Sequence, residues 1–136
     1  MESIELIKEY TQEDIYIKNP SCVYEELQPI FGQKKEFFIG FYLDSANKII
    51  AREIISIGTL NSSLVHPREV FKSAIIRSAN SIILAHNHPG GNLDPSDEDI
   101  RVTKVLRDAG ELLGIKVIDH LVVTSKGYKS IMEEVV

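Results

Sequence analysis

The chain lacks a second cysteine, a long apolar run and any excess of basic charge. Cys22 is its only cysteine, so no intrachain disulfide can form. Such a chain suits a reducing compartment, and a cytoplasmic home is expected. No apolar stretch is long enough to span a bilayer, and no basic-then-apolar segment opens the chain. Neither a membrane partner nor export is therefore expected. Lys and Arg number 15 against 20 Asp and Glu. That balance disfavours a dedicated binder of the nucleic-acid backbone, which needs a basic face. Lys34, Lys35 and Arg52 could still form a local basic patch. With no repeat and no low-complexity linker, the 136 residues read as a single domain with its core at about 15–130.

Residues 1–18 read as a short strand with loops around it. Asn19-Pro20-Ser21 signals a turn and a cap. Val23, Leu27 and Ile30 then recur at helical spacing up to Gly32. Phe37 to Leu43 is dense enough in aromatic and apolar residues for a buried strand. Asp44-Ser45-Ala46-Asn47 turns the chain into a second strand, Ile49 to Ile57. Pro67 suits a first helical turn, with Val70, Phe71, Ala74 and Ile75 on one face. Ser81 to Ala85 is a short apolar strand, and Gly90-Gly91-Asn92 a loop. Ser96 opens the longest helix, with Val102, Val105, Leu106, Ala109, Leu112 and Leu113 on its inner face and Gly114 as its stop. Val117 to Thr124 is a further strand, and a short tail follows Tyr128. This order predicts an α+β (α/β-type) sandwich: one mixed sheet with helices on each face.

His86-Asn87-His88-Pro89 runs straight out of the third apolar strand. Histidines at i and i+2 point to the same side of an extended backbone, and strand ends are where sites concentrate. A carboxylate from the helix opened by Ser96 could swing back to meet them. Two neutral nitrogens and one anionic oxygen, with a fourth position left for water, suit a catalytic zinc and point to metal-assisted hydrolysis. Asp97, Glu98 and Asp99 all qualify. All three are equally explained as helix-capping acids, and Ser96 with an acid three residues later reads as a capping box. Spacing alone does not choose among them.

Hydrolysis also needs a group that takes a proton. Glu53 sits among Ile49, Ile50, Ile54, Ile55 and Ile57, where an unpaired carboxylate is costly. The solvent face of a half-exposed strand explains it equally well. Glu36 and Glu69 are weaker candidates for the same role. His66 reads as a structural cap or a support behind the ligands, and Arg68 with Glu69 as a local ion pair. Asp119-His120 either orients the site from behind or is a buried histidine satisfied locally. Cys22 reads as a small core residue.

Together these segments resemble the RadC-like proteins, a branch of the JAB/MPN superfamily of JAMM metallopeptidases. The matching segments are Ile57-Gly58-Thr59-Leu60-Asn61, His66 to Lys72, His86-Asn87-His88-Pro89, Pro95-Ser96 with Asp99, and Asp119-His120. The resemblance implies a curved sheet flanked by helices, with zinc at its edge. It assigns His86, His88 and Asp99 as zinc ligands, Glu53 as general acid/base and Ser96 as donor to the oxyanion. It implies a protein or peptide substrate cleaved at a peptide or isopeptide amide bond. A non-catalytic interaction module and a DNA-repair or antirestriction factor are the alternatives it carries. The Gly58 to Asn61 turn would line the substrate groove. Gly90 stands where relatives usually have serine. No helix-hairpin-helix segment of the kind usual in full-length relatives precedes the domain in these residues, which weakens the DNA expectation. An exposed edge strand would let two copies pair, so a homo-oligomer is also among the expectations.

Overall fold

The structure, a computed structural model, describes residues 8–9 and 15–132. Its elements in order are β1 (Lys8–Glu9), α1 (Pro20–Glu26), a 3-10 turn (Gln28–Ile30), β2 (Phe37–Leu43), β3 (Ile49–Ile57), α2 (Pro67–Ile76), β4 (Ser81–Asn87), α3 (Asp97–Leu113), β5 (Lys116–Thr124) and β6 (Gly127–Ser130). The strands form one six-stranded sheet in the order β1-β3-β2-β4-β5-β6. Among the described residues only β4 and β5 pair in parallel, and α3 is the crossover that a parallel pair requires. The class is α+β, as expected.

Every residue of β2 is buried, because both faces of the sheet are covered. Phe37, Ile39, Phe41 and Leu43 pack with Val23, Leu27 and Ile30 on the α1 face. Phe38 and Tyr42 pack with Val70, Phe71, Val102 and Leu106 under α2 and α3. The same alternation along β4 puts Ile83 and Ala85 on the α1 face, and Ile82 and Leu84 on the other. Two steps past Leu84, His86 points to the α3 side.

Several expectations are corrected. The first helix stops at Glu26, and a 3-10 turn carries the chain to Ile30. Pro29 has no N–H to extend an α-helical ladder there. Ile75 is 58% exposed. On α3 the buried stripe is Asp99, Val102, Thr103, Leu106 and Gly110, whereas Val105, Leu112 and Leu113 are exposed. Apolar spacing misplaced the inner face because two of its members, Asp99 and Thr103, are polar. Residues after Thr124 turn back and pair with β5 as β6 rather than trailing off. Of the first 18 residues, Lys8 and Glu9 pair with β3 and Tyr16 bridges to Lys48. Residues 1–7 and 10–14 of that expected strand and its loops lie outside the described residues. Among the described residues no helix is long and apolar enough to cross a membrane.

Gly110 is a point of close approach. A Cβ there would collide with the Ile115 carbonyl oxygen and press on the Phe71 ring. Gly110→Ala is expected to cost about 1–3 kcal/mol, because the obstacle is backbone that cannot rotate away. Gly90→Ala, with open space around the added carbon, should stay within about 0.5 kcal/mol. Chemical denaturation of both variants checks this, and equal midpoints would refute the packing argument.

Candidate metal centre

The site lies where β4 ends and α3 begins, at the carboxyl end of a strand paired in parallel. His86 is the penultimate residue of β4, and His88 follows the strand. Asp99 is the third residue of α3. Ser96 Oγ accepts from the Asp99 amide at 3.0 Å, and the Ser96 amide donates to Asp99 Oδ2 at 2.8 Å. The capping box is therefore real, and it aims the carboxylate. The same Oδ2 lies 3.2 Å from His86 Nε2 and 3.0 Å from His88 Nε2. The two Nε2 atoms are 2.9 Å apart. Among the described residues, His86, His88 and Asp99 are the group whose donor atoms converge enough to hold a metal ion.

The donor set fits a divalent cation. Nδ1 of His88 donates to the Asn92 carbonyl at 2.6 Å, which leaves its Nε2 lone pair on the site in the neutral ring. Three potential ligand atoms then face one another at about 3 Å, close enough for a cation or a shared proton to sit among them. Zinc bonds of about 2.0–2.1 Å place neighbouring tetrahedral ligands about 3.3 Å apart, close to the separations seen. The Asp99 hydrogen bond raises the His88 pKa, against burial, which lowers it. Burial alone would push the Asp99 carboxyl up. Its contacts with the His86 and His88 rings and the Ser96 amide outweigh this and hold it well below the usual carboxylate range.

The structure does not bring Glu53 to this cluster. Glu53, on β3, pairs with Gly40 of β2, which puts it two strand spacings from β4, roughly 10 Å across the sheet. Its Oε1 takes a 2.6 Å hydrogen bond from Arg77, just past α2. Burial would raise its pKa, but hydrogen bonds from Arg77 and Ser73 bring it below the ordinary value. The costly carboxylate is thus settled by an ion pair. Glu36 stands at the site instead. Phe38 pairs with His86 across β2 and β4, and Glu36 lies two residues before Phe38 as His88 lies two after His86. Its charge is among those that raise the His88 pKa. Glu36 Oε2 accepts from the Leu60 amide at 2.9 Å.

Asn87, between the two histidines, holds the backbone on either side of Glu36. Its Oδ1 accepts from the Phe37 amide at 2.6 Å, and its Nδ2 donates to the Lys35 carbonyl at 3.0 Å. Glu98 points away from the metal cluster and accepts from the Ser62 amide and hydroxyl, both at 3.1 Å. The Gly58–Asn61 turn is thus anchored beside the site. Asn87 and Thr103 were not singled out in the sequence, because Asn87 acts on backbone 50 and 52 residues away and Thr103 Oγ1 meets His120 Nδ1, 17 residues on, at 2.6 Å.

The remaining candidates separate. Ser96 is exposed at the mouth of the site, its hydroxyl hydrogen free of the capping bond. His120 is fully buried behind His86, with its Nε2 2.8 Å from His86 Nδ1. Burial pushes its pKa well below the usual imidazole range, with the adjacent His86 adding to the effect. Asp119 Oδ1 accepts from the His120 backbone amide at 2.8 Å and from Ser130 Oγ at 2.5 Å, and makes no contact with the His120 ring. His66 is the exposed N-cap residue of α2, and its side chain makes no capping bond. Glu69 is exposed beside Arg68, 3.9 Å away. Cys22 is half-buried against the α1-side core. Arg52 is buried and donates to the Glu26 carbonyl, so it cannot join Lys34 and Lys35 in a surface patch.

The chain is 50% identical over 119 residues to a UPF0758 protein of Methanosarcina mazei, covering 87% of this chain and 52% of that protein. It is 60% identical over 90 residues to a UPF0758 protein of Finegoldia magna, covering 66% of this chain and 40% of that one. A UPF0758 protein of Caldanaerobacter subterraneus is 63% identical over 89 residues, 65% of this chain and 38% of its own length. The chain spans about half or less of the length of these curated relatives. Residues 17–136 match the RadC-like JAB domain, and the chain belongs to that family.

Proposed function

We propose that this domain is a zinc-dependent hydrolase of peptide or isopeptide amide bonds, acting on a protein or peptide substrate. The observation that carries this reading is the convergence of His86 Nε2, His88 Nε2 and Asp99 Oδ2 within about 3 Å, with the Glu36 carboxylate beside them. His86, His88 and Asp99 would hold the metal. A zinc ion so held supplies a Lewis acid and a water acidic enough to react near neutral pH. Glu36, rather than Glu53, takes the proton from the attacking water. Its Oε2 is steadied by the Leu60 amide, and Oε1 is left to carry the proton to the leaving amine. Ser96 turns its hydroxyl hydrogen to the developing oxyanion while its oxygen keeps the α3 cap.

The reading is tested with a panel of fluorogenic peptides and lysine-linked isopeptides. Cleavage lost on chelation and restored by stoichiometric zinc is expected. Cleavage indifferent to chelation, or no zinc-dependent cleavage of any amide in the panel, would rule it out.

A pH dependence follows from His88. Its folded pKa lies above the unfolded value of about 6.5. In metal-free protein its contribution to stability is therefore fully present below about pH 6.5 and is lost as pH rises through the folded pKa. Metal needs the same Nε2 without its proton, so zinc affinity falls about tenfold per pH unit below that folded pKa. The gain in Tm on adding zinc should widen between about pH 6 and about pH 8. A gain that is constant over that window would contradict His88 as a ligand.

A further inference from the structure

We propose that Thr103 and His120 are positioning residues that lock His86 in the tautomer whose Nε2 lone pair faces His88 and Asp99. The proposal rests on the metal reading above and assigns the site its rear support. His86, Thr103 and His120 are all fully buried, and the Phe38 ring closes over His120 with ring centres 5.4 Å apart.

The chain of contacts starts and ends on Asp99. Thr103 Oγ1 lies 2.7 Å from the Asp99 backbone carbonyl, which can only accept. The one hydroxyl hydrogen of Thr103 is therefore spent there. Thr103 Oγ1 is also 2.6 Å from His120 Nδ1, so that nitrogen must carry the hydrogen between them. With that hydrogen on Nδ1, the Nε2 of a neutral imidazole is an acceptor. At 2.8 Å it receives the hydrogen of His86 Nδ1. His86 Nε2 is left bare, 3.2 Å from Asp99 Oδ2. The opposite assignment would give His120 the Thr103 hydrogen. It would set two acceptor oxygens against each other at 2.7 Å and place a hydrogen on His86 Nε2, in the position a metal needs. A ligating imidazole fixed by a partner on its far nitrogen is a general feature of metal sites. Here the partner is a second imidazole, itself fixed by a hydroxyl on the helix that supplies Asp99.

The test uses wild type, Thr103→Val and Thr103→Ser, with zinc alone as the probe. Imidazole nitrogen NMR on the metal-free proteins reads the tautomer, and competition titration reads zinc affinity. Wild type should carry its His86 hydrogen on Nδ1. Thr103→Val, nearly isosteric, should show His86 redistributed toward the Nε2-protonated form and bind zinc about 10–100-fold more weakly. Thr103→Ser should restore both. Wild-type His86 with its hydrogen on Nε2 would overturn the lock, as would a Thr103→Val protein with wild-type zinc affinity and an unchanged His86 spectrum. The wild-type spectrum decides even if Thr103→Val fails to fold. A wild type that shows the expected tautomer but binds no zinc would sustain the lock and remove the metal reading.

Discussion

Replacing Glu36 with glutamine should lower amide-bond turnover by about two to four orders of magnitude while zinc still binds. Glutamine keeps the length of the side chain and an oxygen that can accept from the Leu60 amide, so the Gly58–Asn61 turn stays anchored. What disappears is the basicity. Glu36 is not among the three converging ligands, so zinc affinity should change by less than about threefold. Glu53→Gln is the matched control. It weakens the 2.6 Å ion pair with Arg77, whose partners are about four-fifths buried. Stability should fall by about 1–2 kcal/mol, with turnover close to wild type at temperatures where the variant is folded. Steady-state kinetics and thermal melts on both variants separate the two carboxylates. An active Glu36→Gln beside an inactive, well-folded Glu53→Gln would reverse the assignment.

The second large effect concerns Asp99, which serves both as a helix cap and as a candidate ligand. Asp99→Asn separates the two roles. The amide oxygen of asparagine can still accept from the Ser96 amide, and the Asp99 backbone N–H can still donate to Ser96 Oγ. The start of α3 should therefore survive, with helical content unchanged. The anionic oxygen between two imidazoles is gone, so zinc affinity should fall on the order of a thousandfold, about 4 kcal/mol. The His88 pKa should fall with it, because the Asp99 hydrogen bond is the largest cause of its elevation. If Asp99 were a cap and nothing more, calorimetric zinc titration of Asp99→Asn would match wild type.

These two residues also mark how far the sequence could be read. The histidine pair was legible because alternation along a strand places i and i+2 on one side, a rule that needs only local geometry. Asp99 was ambiguous for a physical reason: the bonds that cap α3 are the bonds that aim the carboxylate. The choice of Glu53 over Glu36 followed from burial cost, which is sound but incomplete. The neutralising Arg77 lies 24 residues away and enters from the end of α2, a contact no periodicity reveals. Glu36 follows Lys34 and Lys35, outside any apolar run, and was the weaker candidate for the same role. Only the pairing of β2 with β4 brings the start of β2, which it precedes, to the histidine end of β4. The inner face of α3 was misread for a related reason. Asp99 and Thr103 occupy buried positions that a count of leucines and valines assigns elsewhere. The order of strands and helices, by contrast, followed from apolar runs and turn residues, which act locally.

The central claim is that a metal ion sits among His86, His88 and Asp99. Zinc-edge anomalous diffraction from crystals of wild type grown with stoichiometric zinc tests it most directly. The predicted result is one peak about 2.0–2.2 Å from His86 Nε2, His88 Nε2 and an Asp99 carboxylate oxygen. A map with no peak there, or with zinc bound only elsewhere on the protein, would contradict it.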